Sequence, residues 1–161
     1  VSQMAEGPRD FRLSYDARKY FEKINKNSTS GKFKIMLQQY WLCAQIGILY
    51  NEKGTPPDKK PLTDKFAFPL KEHQHLIRAF AYWRHAESKN IDPKNEDDVM
   101  PSLSMFFDQE ALTKLGKLGM STLDKYAAGG FSIIRKEIPN ETDLARFLLE
   151  YLILIKNAPD N

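Results

Sequence analysis

Five lysines are the residues of this chain best placed to do chemistry, and that chemistry is the binding of anions. Lys19, Lys23 and Lys26 stand at i, i+4 and i+7, which aligns them along one side of a helix, and Lys32 and Lys34 follow just past a polar turn. Residues 1–34 carry eight Lys or Arg against four Asp or Glu, a balance of +4, whereas the formal charge of the whole 161-residue chain is +3. The excess positive charge is therefore local to the N-terminal unit. Cations gathered in this way suit nucleic-acid phosphates or an acidic protein surface. The competing reading is a solvated helix face on which Arg18 and Glu22 pair across one turn.

The turn between these lysines, Ser28 to Lys32 with sequence STSGK, is superficially like the end of a phosphate-binding loop. A working loop needs glycine where Asn27 and Ser28 stand and a magnesium-holding hydroxyl where Phe33 stands, so nucleotide hydrolysis is not expected. Free amides at the start of a helix opening near Gly31 could still hold one phosphate, the alternative being an ordinary helix cap. His73 and His75 point to different sides of a helix and cannot share one metal, so no metal site is expected. Tyr82, Trp83, Arg84 and His85 either stack on bases or fill a core. Cys43, between Leu42 and Ala44, reads as a buried thiol with no neighbouring base. No serine, histidine and acid arrangement is evident and no cofactor signature appears, so the chain reads as a non-enzyme.

The elements that must position these residues read as helices. Ser14 is placed to cap a helix over about 15–26, whose Ala17, Tyr20, Phe21 and Ile24 make one apolar face. After the turn, apolar residues at 33, 36, 37, 40, 41, 44 and 48 predict a core helix from near Gly31 to about Tyr50. Gly54, Pro56, Pro57, Pro61 and Pro69 then predict a long exposed loop over 51–69. A third helix is expected over 70–89, a loop or acidic helix start over 90–100, and a short helix after Pro101, capped by Ser102. Glycines at 116, 119, 129 and 130 predict short pieces over 108–117, 121–128 and 131–137, and Asn140 or Thr142 opens a last helix that should pack on the helix holding Trp41. The fold class expected is all-α, a compact helical bundle forming a single domain over 11–158 after a disordered lead-in at 1–10.

Composition agrees with a folded chain of this class, 42% hydrophobic and 12% aromatic. The longest apolar run, Tyr151 to Ile155, is far short of the roughly 20 residues that a membrane span needs. With Cys43 as its only cysteine the chain has no internal disulfide, which points to a reducing, cytoplasmic setting. Phe106, Phe107, Leu112, Leu115 and the string from Phe147 to Ile155 supply more apolar mass than one small bundle encloses. They predict either a generous core or an interface, including a possible homo-oligomer.

The pattern FRLSYDARKYFEKI, the turn, and LQQYWLCAQIGI, followed later by LDKYAAGGF at 123–131 and TDLARFLLEY at 142–151, resembles DndE, the small helical subunit of the bacterial DNA phosphorothioation system. This resemblance implies a non-catalytic, all-α accessory subunit that contacts DNA backbone without sequence preference and works beside an SMC-like ATPase. Residues 51–110 lengthen the chain beyond a compact DndE, a length that also suits the small helical subunits of Lamassu-type anti-phage and anti-plasmid defence complexes. On the resemblance Lys26, Lys32 and Lys34 correspond to the family's DNA-contacting surface, and the charge reading adds Lys19 and Lys23. Helix, turn, helix is also a DNA-reading topology, but the second helix here is too apolar for a groove, so contact falls on phosphates. The alternative is a protein-interaction adaptor whose lysines meet an acidic partner without DNA.

Overall fold

The computed structural model describes residues 10–58, 61–63, 65–67 and 70–160. Apart from Asp10, the expected lead-in lies outside these residues. Six α-helices carry the fold: α1 Tyr15–Asn27, α2 Met36–Tyr50, α3 Gln74–Ser88, α4 Glu96–Phe106, α5 Lys117–Glu137 and α6 Leu144–Lys156. The all-α reading needs one small amendment, because β1 Phe11–Arg12 pairs antiparallel with β2 Pro61–Thr63. That pair draws the middle of the proline-rich loop onto the segment leading into α1, and Phe66 packs edge-on against Phe11.

α2 and α5 form the centre. On α2, Leu37, Tyr40, Cys43, Ala44, Ile46 and Ile48 are buried and Met36 alone is exposed, so this helix offers no exposed polar face to a DNA groove. α5 runs unbroken through Gly119, Gly129 and Gly130, where breaks between short helices were expected. These glycines serve close approach, not termination. A Cβ on Gly130 would lie 1.7 Å from the Cys43 carbonyl oxygen, and one on Gly47 would lie 1.9 Å from that of Tyr126. The two backbones touch where side chains are missing, and the packing gained outweighs the roughly 1 kcal/mol that a mid-helix glycine costs relative to alanine.

The helix expected over 108–117 is absent, residues 108–116 being non-helical and Lys117 opening α5. Phe107 and Leu115 bridge, Asp108 N–H donates to the Lys114 carbonyl, and Lys114 takes φ 60°, which closes a loop in front of α5. Asn95, not Ser102, caps α4, with Glu96, Asp97 and Asp98 in its first turn and Pro101 inside it. The acidic run therefore opens a helix whose N-terminal partial charge favours it.

Tyrosine hydroxyls tie the helices together: Tyr20 donates to the Ile138 carbonyl at 2.6 Å and Tyr151 to that of Leu42 at 2.7 Å, which docks α6 on the helix holding Trp41 as expected. Inside the core, Tyr40 donates to Asp124 Oδ1 at 2.6 Å, and the Arg12 amide donates to the same oxygen at 3.1 Å. Burial pushes the Asp124 carboxyl up to about 7, although both of those hydrogen bonds pull it down. No described helix is long and apolar enough to cross a membrane.

Candidate nucleic-acid interface

Ser14 caps α1 through a hydrogen bond from the Ala17 amide to its Oγ at 3.1 Å, as its position predicted. Ala17, Phe21 and Ile24 are buried, so Lys19, Lys23 and Lys26 project from the opposite side and are exposed. Lys26 meets Glu22 at 3.1 Å, and Lys19 lies over the Tyr15 ring at 4.5 Å. Both are surface contacts of small worth, about 0–1 kcal/mol, which an incoming phosphate can displace. Lys23, Lys32 and Lys34 make no ion pair among the described residues and are exposed.

The turn departs from expectation. α2 begins at Met36, five residues after Gly31, because residues 28–35 are engaged elsewhere. Gly31 takes φ 144°, which starts no helix; the Phe33 amide donates to Asn25 Oδ1 at 2.8 Å. The amides ahead of α2 are not free for a phosphate: Lys34 and Ile35 both donate to Gln38 Oε1, at 3.0 and 3.3 Å. Nor are those of Thr29 and Ser30 in the turn. Thr29 and Ser30 amides donate to Asp143 Oδ1 at 3.1 and 3.3 Å, and the Ser30 hydroxyl donates to Asp143 Oδ2 at 2.9 Å. The anion held by STSGK is the chain's own carboxylate.

The fastening is reciprocal. The amides of Leu144 and Ala145 at the head of α6 donate to Ser28 Oγ and Ser30 Oγ at 3.0 and 2.9 Å, so the serines of the turn cap a helix 116 and 115 positions away. Asn25, Gln38 and Asp143 thus hold Lys32 and Lys34 in a fixed place. Of these, Gln38 alone is foreshadowed locally, as a side chain three residues past a helix start. The Ser30 hydroxyl, then the Thr29 and Ser30 amides, hold the Asp143 carboxyl down at about 2.

A depressed carboxyl stabilises the fold above the unfolded value near 3.9, and that contribution is lost as pH falls through about 2. Asp143→Ala should therefore accelerate hydrogen exchange at Thr29 and Ser30 and lower the melting temperature at neutral pH, while leaving exchange at the buried α2–α5 centre unchanged. Unaltered exchange in the turn would contradict this role.

Beside the turn lies an apolar groove of about 600 Å³, lined by Phe33, Ile35, Trp41, Leu42, Leu70, Leu144 and Leu148, with Lys32 and Lys34 on its rim. Of the aromatic quartet, Trp83 is 44% exposed and stacks on Phe80, whereas Tyr82 is half-buried against Phe106. Arg84 and His85 are buried, Arg84 donating to the Ile48 carbonyl at 2.8 Å, and His85 packs against Phe106. Burial first, then Lys53 and Lys89, lower the His85 pKa. Cys43 is fully buried and its thiol is pushed up by that burial. No group of three or more His, Cys, Asp or Glu is arranged to hold a metal among the described residues. Compared with protein-family models, curated proteins and solved structures, the chain matches none.

Proposed function

We propose that the protein is a non-catalytic accessory subunit of a bacterial defence or DNA-modification complex, contacting DNA backbone through Lys19, Lys23, Lys26, Lys32 and Lys34 and working beside an SMC-like ATPase. The observation that carries this reading is the exposure of five lysines together on α1 and on the segment after it, whose backbone is fastened to Asn25 and Asp143. α2, the only candidate for base reading in this unit, is spent in the core, so the contact is independent of sequence. The ATPase partner and the defence setting rest on the DndE resemblance.

A second reading, an adaptor for an acidic protein surface, is favoured by the placing of Lys32 and Lys34 on the rim of an apolar groove. A salt-titrated gel shift with random-sequence duplex separates the two. Five phosphate contacts give a log–log salt slope of roughly −4.5, a loss of roughly 500-fold in affinity between 50 and 200 mM salt. Reversing Lys19, Lys23 and Lys26 to Glu should abolish the shift. Unchanged binding by that variant rejects the DNA reading, and a stable complex with an acidic partner in the absence of DNA selects the adaptor.

A further inference from the structure

On α6 only Phe147, Tyr151 and Leu154 are buried. The opposite side carries Leu148, Leu149, Leu152 and Ile153, exposed by 39, 62, 55 and 56%. Scattered surface leucines need no explanation, but four contiguous ones on a single helix do. Their steps of one, three and one, with the small Ala145 at their head, make a seam of the kind along which two helices pack.

We infer that this face closes on the same face of a second copy, the two α6 helices running antiparallel about a two-fold axis near Glu150. An isologous contact requires a surface that complements itself, and this one does. The N-terminal half of α6 borders a recess, the groove lined by Trp41, Leu42, Leu144 and Leu148, while the C-terminal half carries the protruding Leu152 and Ile153. Antiparallel pairing sets the protruding half of each copy over the recessed half of the other.

Charge selects the same orientation. Lys32 and Lys34 stand on the rim beside the start of α6. Antiparallel packing brings them the carbonyl end of the second α6, which is partially negative, followed by Asp160, which offsets Lys156. Parallel packing would instead oppose the two lysine pairs. The inference concerns the chain alone and is tested without nucleic acid; it sets Lys32 and Lys34 against the second copy, so in the dimer Lys19, Lys23 and Lys26 are the lysines left to DNA.

Sedimentation equilibrium at about 10–100 µM and moderate salt should give twice the 18.6 kDa chain mass, and Leu149→Glu with Leu152→Glu should give the monomer. Both side chains already face solvent in the single chain, so circular dichroism should show unchanged helix content in the variant. Orientation is read by cysteine cross-linking under a copper–phenanthroline oxidant, with Cys43 inert in the core. A mixture of Ala145→Cys and Lys156→Cys chains, two exposed positions at opposite ends of the face, should link across copies, and neither variant should link to itself. A monomeric parent chain, or a dimer that survives the double Glu variant, overturns the pairing; self-linking of Ala145→Cys overturns the antiparallel arrangement.

Discussion

Gly130→Ala should unfold this protein more readily than any other single added methyl group. The new Cβ would be 1.7 Å from the Cys43 carbonyl oxygen and 2.6 Å from the Gly47 amide nitrogen, both backbone atoms that no rotamer change can move. Relief requires α2 and α5 to separate, and these two helices hold Tyr40, Cys43, Leu123, Tyr126 and Ala127 in contact. Alanine's better helix propensity returns about 1 kcal/mol, whereas overpacking of a core costs 1–3 kcal/mol and more where backbone must shift. A net loss of about 3 kcal/mol or more is expected, seen as a melting temperature lower by roughly 6–12 °C and a reduced urea midpoint. Ser132→Ala, on the exposed side of the same helix, should change stability by less than about 0.5 kcal/mol. A Gly130→Ala protein as stable as its parent would mean that the helices do not cross at these glycines.

Asp124→Asn should raise stability at alkaline pH and flatten its pH dependence. The parent carboxyl is pushed up to about 7 when folded, against about 3.9 in the unfolded chain. Between those values the folded protein holds a proton that the unfolded chain has released, so stability falls as pH rises through the window and levels off above it. The full difference is on the order of 4 kcal/mol. Asparagine keeps an acceptor for Tyr40 Oη and the Arg12 amide, which both use Oδ1, and its amide takes the place of Oδ2. Asp124 also lines a cavity of about 390 Å³ with Arg12, Lys117 and Ser121, which gives that amide room for water. Urea titrations from pH 4 to 9 should show the parent's decline absent from the variant, and a parallel decline in both would place the titrating group elsewhere.

What sequence patterns revealed was whatever depended on local periodicity. Ser14 and the α1 face, the apolar repeat of α2 and the breakers after Tyr50 are all short-range signals, and each recurs in the fold. What they hid depended on distant partners. Gly129 and Gly130 look like helix stops until the Glu52 backbone is known to lie against the first and Cys43 and Gly47 against the second, and the serine turn looks like an ordinary cap for the next helix until Asp143 arrives. The five lysines were legible as a stripe and a pair; the fastening of the backbone around Lys32 and Lys34 by Asn25, Gln38 and Asp143 was not. The apolar excess foreseen over 147–155 divides between core and surface because a single helix can spend only one side on its own bundle.

The bond between the serine turn and Asp143 also sets an order of events during synthesis. Residues 28–30 and 143 are separated by 113–115 positions, and closing a loop of that length costs about 4 kcal/mol of chain entropy. At about 5–20 residues per second, the ribosome delivers Asp143 roughly 6–23 s after the turn. Throughout that interval α1 can be formed, and Asn25 and Gln38 can engage residues 33–35, while residues 28–30 still lack Asp143. The cation array is thus completed by nearly the last helix to emerge, and a nascent chain that stalls before residue 143 presents its lysines without the geometry that makes them a surface.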